Sequence, residues 1–161
     1  MANSSSGQQE TLPLILILET ISQHDASTDG ISLYVEEPEA HIFPTTQKDI
    51  VELISLVFNE RKNNSQFFIT THSPYILTSF NNLLQAGMLA IDADEEKIKK
   101  IDKLVSKSRF LKPEEVAVYS VESGDCQSIM DKETGLIDAN MIDEVSNDLG
   151  VQFDELLDLE E

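Results

Sequence analysis

Two short apolar runs, ISLYV at 31–35 and FFITT at 67–71, each break off abruptly into polar and charged residues. Both are rich in β-branched and aromatic residues and too short for helices, so they read as buried strands. Between them Pro44 opens a helical pattern, with Ile50, Leu53, Ile54, Val57 and Phe58 on one face. KNNSQ at 62–66 reads as a turn, and HSPYIL starts another helix running to about Ala86. Strand, helix, strand, helix with short connections predicts an α/β fold: a parallel sheet with crossover helices.

Upstream, SGQQ at 6–9 has the S-x-x-Q form of a capping box, which starts a helix. The apolar run from Leu12 to Leu18, continued by Ile21, then predicts a helix buried on most sides. Pro13 deletes one backbone bond and predicts a bend near residues 9–13. HDASTDG at 24–30 is a loop by composition.

Downstream of about Asp92 the composition shifts. Seven of the 11 basic residues lie between Lys97 and Lys112, on an expected helix from Glu95 to Lys107. VAVYSV (116–121) and QSIM (127–130) read as two strands joined through Ser123-Gly124-Asp125. The last 24 residues carry nine acids and no base, yet Met141, Ile142, Val145 and Leu149 keep a helical spacing that predicts a docked apolar face. The expected organisation is a lobe over 1–91 and an acidic α+β extension over 92–161 packed on it.

Composition narrows the function. A chain of 161 residues is about one domain. With 11 basic against 30 acidic residues its net charge is −19, which repels phosphate backbones unless the basic groups are gathered in one place. The segment 97–112 is such a gathering, but Glu95, Glu96 and Asp102 interleave with its lysines, which favours a solvated face over DNA contact. Cys126 stands alone, so no intramolecular disulfide forms and a reducing compartment fits. LPLILIL is far short of the roughly 20 apolar residues that span a bilayer, and no charged leader precedes it. The expectation is a cytoplasmic protein without membrane contact.

The two strand ends carry the chemistry. A strand ending in Glu36 and Glu37 puts carboxylates at the sheet's C-terminal edge, where open α/β sheets bind ligands. Crowded ionised carboxylates repel unless a cation compensates, and magnesium, which usually arrives with a nucleotide phosphate, suits such oxygens. His72, at the end of the second strand, is placed to donate a hydrogen bond to a phosphate. A lone histidine there is more often a capping or core residue; convergence with the carboxylates is what favours a site.

In these residues the chain resembles the ABC-type ATPases. SSSGQQE is similar to their signature loop, SLYVEEP to their Walker B strand and FFITTHSP to their switch-histidine strand, in the family's order. The forms EEPEAHIFP and ITTHSPYIL look most like the AAA-type, OLD-like, RecF/SMC-related soluble ATPases. The resemblance covers residues 4 to about 78. It implies a partial P-loop NTPase fold, ATP and Mg2+ as cofactors, and a homodimer in the complete protein. It also implies that Ser5, Ser6, Gly7 and Gln8 contact nucleotide held by the opposite subunit. Glu36 takes the metal-supporting position, Glu37 that of the general base, and His72 that of the γ-phosphate sensor. Glu39 and His41 fall in the loop that links the two sites in that family.

One element is missing. A P-loop requires G-x-x-x-x-G-K-[ST]. The six glycines, at 7, 30, 87, 124, 135 and 150, include no pair five apart and none followed by lysine. The chain is therefore expected to be the C-terminal lobe of such an ATPase, inactive alone and dependent on an N-terminal P-loop lobe. DNA repair and phage defence are the processes the resemblance suggests. The alternative is a non-catalytic, acidic protein-interaction remnant. A metal hydrolase built from Glu36, Glu37, Glu39, His41 and His72 lacks an H-E-x-x-H or similar ligand spacing.

Overall fold

The two apolar runs pair side by side in parallel. The structure, a computed structural model, describes residues 5–23, 30–61, 65–138 and 144–157, with the side chains of the last stretch from 150 onward. In it β1 (Ile31–Glu36) and β2 (Ser65–Thr70) run in register from Ile31 opposite Ser65 to Glu36 opposite Thr70. Between them α2 (Pro44–Glu60) makes the crossover, and α3 (Pro74–Ile91) follows β2. This is the mixed α/β arrangement the pattern predicted, with a short parallel sheet consistent with part of a P-loop-type fold.

The strands, however, are covered on one face only. Successive side chains alternate across a strand, and here Ile31, Leu33, Phe67 and Ile69 point into a cluster with Leu18, Ile21, Ile50, Ile54 and Val57. Tyr34 and Phe68 point the other way, stacked on each other at 4.7 Å with their planes 8° apart. They are 71% and 46% exposed. Among the described residues the sheet has no third strand, so its outer edges are unpaired as well.

The same correction applies to the first helix. α1 (Ser6–Gln23) passes through Pro13 without interruption. Of its residues only Gly7, Leu18 and Ile21 are buried, while Leu12, Ile15, Leu16 and Ile17 lie exposed. It is a half-covered helix, not one buried on most sides. The capping box is also one residue earlier than expected: the Gln8 amide donates to Ser5 Oγ at 3.4 Å, and the Ser5 amide donates back to Gln8 Oε1 at 3.1 Å.

α2 divides the interior in two. Ile50, Ile54 and Val57 face the sheet cluster, while Val51 turns to a second cluster with Ile76, Leu77, Leu83 and Leu84 of α3. Leu111, Ile129 and Ile137, from beyond residue 92, complete that second core. The later segment is held there by directional bonds too. Asn59 Nδ2 donates to the carbonyls of Ser108 and Phe110, both at 2.9 Å, and Arg109 pairs with Glu52. Gly87 of α3 lets the chain lie against the helix, because a Cβ there would overlap the Leu111 carbonyl.

Three expected elements are shorter or shifted. α4 (Glu95–Asp102) is capped by Asp94, whose side chain accepts from the Lys97 amide at 2.7 Å, and it stops five residues before Lys107. The Lys107 amide instead donates to Asp102 Oδ1, turning the chain into a single 3-10 turn at Lys107–Arg109. β3 (Tyr119–Glu122) and β4 (Asp125–Ser128) form an antiparallel hairpin through Ser123 and Gly124, both at positive φ as two-residue hairpin turns require. α5 (Glu144–Leu157) follows, with Val151, Phe153, Leu156 and Leu157 exposed. The expected docking of Met141, Ile142, Val145 and Leu149 falls outside the described residues, as does most of the 24–30 loop. No described helix is long and apolar enough to cross a membrane.

Candidate functional site

Parallel strands deliver their last residues to the same edge, and here those residues meet. The Glu37 amide donates to the Thr70 carbonyl at 2.9 Å, extending the ladder one residue past β1. Glu37 then takes a left-handed backbone (φ 44°), which ends the strand and starts a tight turn. In that turn the Ala40 amide donates to the Glu37 carbonyl at 2.9 Å and the Ile42 amide to the Glu39 carbonyl at 3.3 Å. His41 is left-handed too, at φ 56°.

The turn reaches across to the loop after β2. Glu37 Oε1 lies 3.7 Å from His72 Nε2, and Glu39 Oε1 accepts the His72 amide at 2.7 Å. One residue on, Ser73 caps α3 by accepting from the Tyr75 amide at 3.2 Å. Its hydroxyl also donates to Gln47 Oε1 at 2.6 Å, while Gln47 Nε2 donates to the Ile42 carbonyl at 3.2 Å. The buried Gln47 thereby ties the end of the first turn to the start of α3. The side chains of His72 and Glu37 stay open to solvent, at 88% and 57% exposure, on a backbone frame that is fixed.

Glu36 is separated from this group by strand alternation. As the last residue of β1 it lies exposed on the open face beyond Tyr34, while Glu37 turns towards His72. Among the described residues no group of three His, Cys, Asp or Glu could hold a metal ion. That does not suit zinc-type chemistry, which needs three or four protein ligands. Mg2+ asks less of a protein, one or two carboxylates with waters and substrate phosphates supplying the rest, and Glu36 and Glu37 are exposed carboxylates at this strand end.

The signature-like segment abuts the far end of the same turn. Gly7 is buried against it: a Cβ at Gly7 would sit 2.5 Å from the His41 carbonyl oxygen. The next turn of α1 adds Glu10 Oε1 at 3.6 Å from His41 Nε2. Ser5, Ser6 and Gln8 are exposed around the helix start. Glu37, Glu39 and His72 therefore form one group, the Ser5–Gln8 segment joins it through His41, and Glu36 stands on the neighbouring face.

Sequence reasoning passed over Gln47 and gave Glu39 a place in a linking loop or, in the metal-hydrolase alternative, as a ligand, but not as a partner of the His72 backbone. Gln47 had a signal, being a polar residue three before Ile50 on the buried face of α2. Glu39 had none beyond its place in an acidic run, because its partner is a backbone amide 33 residues away.

Residues 1–77 match the family model of the AAA ATPase domain, which relates this part of the chain to AAA-type ATPases. Comparisons with curated proteins and with solved structures gave no match.

Proposed function

We propose that this chain contributes half of a composite, ABC-type ATP-hydrolysing site, completed by a P-loop lobe that its own sequence does not contain. The observation that carries this reading is the convergence of Glu37 and His72, 3.7 Å apart, at the shared C-terminal edge of two parallel strands. A carboxylate beside an imidazole at that edge is suited to accept a proton from an attacking water and to donate a hydrogen bond to a terminal phosphate. The AAA ATPase match over the same residues supports it.

In this reading Glu37 is the general base and His72 contacts the γ-phosphate. Glu36 would hold Mg2+, which would supply positive charge to offset that of the phosphates. Ser5, Ser6 and Gln8, exposed at the start of α1, would meet nucleotide held by the opposite subunit of a homodimer, while Gly7 lets the helix seat against the His41 carbonyl. The bare face of Tyr34 and Phe68 is where a lobe could add cover. DNA repair or phage defence would be the setting. A second reading, a non-catalytic acidic interaction module, is favoured by the net charge of −19.

Calorimetry and turnover assays separate the two. The isolated chain should show no micromolar ATP affinity, because most ground-state phosphate contacts in such enzymes come from the P-loop and its lysine. Joined to a P-loop lobe, it should hydrolyse ATP, and Glu37→Gln should trap bound ATP with turnover lowered at least about a hundredfold, the lower end of the range for general acid–base catalysis. Near-normal turnover of that variant would move the catalytic role away from Glu37. No turnover with any P-loop lobe would favour the interaction module.

A further inference from the structure

The turn after β1 is costly in three ways. Glu37 and His41 both adopt left-handed backbones without being glycine, which persists only where the surroundings over-determine the conformation. Glu39 Oε2 is also buried with no hydrogen-bond partner, a state in which the carboxylate has given up water without replacement. Among the described residues, the other oxygen of the same side chain makes the one side-chain bond between this turn and the His72 backbone.

From this combination we infer that Glu39 is a positioning residue, a carboxylate clamp that fixes the His72 backbone and so holds the imidazole beside Glu37. The inference rests on the proposed function for the meaning of the Glu37–His72 pair, and on geometry alone for the clamp. A bond from an amide to an ionised carboxylate is stronger than one between neutral groups, and at 2.7 Å this one is short. Without it the His72 backbone would keep its chain neighbours and the Ser73 cap, but nothing from the first turn would oppose rotation of the 71–72 segment. Among the described residues the imidazole's one side-chain partner is Glu37. Its place beside the carboxylate therefore depends on where the backbone puts it. Gln47 makes a parallel link one residue later, to Ser73, so loss of Glu39 should loosen His72 without detaching α3.

The test is amide hydrogen exchange and NOE measurement on the whole chain, comparing wild type, Glu39→Ala and Glu39→Gln. Glu39→Ala should speed exchange at the His72 amide by about tenfold to a hundredfold, the factor for one hydrogen bond to a charged group. It should also erase the NOE between the His72 ring and the Glu37 side chain, with exchange at Leu84 in the second core unchanged. Glu39→Gln keeps a side-chain carbonyl oxygen at the same reach and should restore the NOE and most of the protection. Unchanged His72 exchange in Glu39→Ala would overturn the clamp. Faster exchange at His72 and Leu84 alike would overturn it too, by showing a general structural role. These measurements need no nucleotide. A clamp that holds while Glu37→Gln leaves hydrolysis intact counts against the proposed function alone.

Discussion

The two interior clusters on either side of α2 are built to different standards. On the α3 side the cluster is closed over by the later segment. Leu83 and Leu84 are fully covered, Asn59 and Asn81 bond directly to the backbone of the later segment, and Gly87 allows chain and helix to touch. On the sheet side, cover stops halfway. One strand face and one flank of α1 remain open, with Tyr34, Phe68, Leu16 and Ile17 exposed. The difference teaches that stability and candidate chemistry are carried by opposite sides of one helix. The closed side has what a fold needs to persist, and the open side has the strained turn, the convergent Glu37 and His72, and apolar surface awaiting cover.

The largest expected effect tests that division. Leu84 is fully buried in the α3 cluster, so Leu84→Ala should cost about 2–5 kcal/mol, the range for a leucine truncated in a core. Tyr34→Ser, on the open face, removes only a stacked ring at the surface and should cost about 1 kcal/mol or less. Chemical denaturation of the two variants gives the comparison directly. Equal losses would mean that the sheet face is covered in solution, by a second copy or by a segment outside the described residues, and concentration dependence of the midpoint would identify the former.

The unequal legibility of the sequence follows the same division. The helix faces of α2 and α3 and the order strand, helix, strand, helix were readable because burial imposes period on the chain. The convergence of Glu37 and His72 was readable because parallel strands must end at one edge. What was not readable is where cover is missing. LPLILIL looks like a buried helix by composition, yet Leu16 and Ile17 face outward, since burial depends on neighbours that local sequence does not encode. The same holds for ISLYV, where Tyr34 satisfies the apolar run and still faces solvent. The end of α4 was missed for a different reason. Asp102 takes the Lys107 amide and turns the chain, a side-chain-to-backbone choice that competes with helix in a lysine-rich stretch.

A smaller effect sharpens the closed side. Asn81 answers both backbone groups of Ile137: its Nδ2 donates to the carbonyl at 2.8 Å and its Oδ1 accepts the amide at 2.7 Å. Asn81→Ala leaves both partners partly buried without it and should cost about 1–3 kcal/mol. Asn81→Asp keeps the acceptor and loses the donor, so it should fall between wild type and alanine. Thermal or denaturant midpoints check the order. If alanine and aspartate cost the same, the amide of Ile137 gains nothing from the Asn81 oxygen, and what Asn81 contributes comes from its Nδ2 donor.

The smallest effect concerns the turn that leads into Ile137. Asp131 Oδ1 accepts the amides of Glu133 at 2.7 Å and Thr134 at 2.9 Å. Those bonds, from Thr134 first and then Glu133, hold the Asp131 carboxyl below its ordinary range. A carboxyl whose folded value is depressed stabilises the fold above its unfolded value, about 3.9, and loses that contribution as pH falls through the folded value. The window therefore lies below about pH 4, and the carboxyl is fully exposed, so its effect is slight beside the two substitutions above. With 30 acidic residues titrating in the same range, only a difference isolates it. Wild type minus Asp131→Asn should show an acid-dependent stability gap that closes as pH drops, together with loss of the characteristic Glu133 and Thr134 amide shifts in the variant. A gap constant with pH would mean that the turn is set by the Asp131 backbone bonds to Gly135 and Leu136, and that the closed side needs no charge to stay closed.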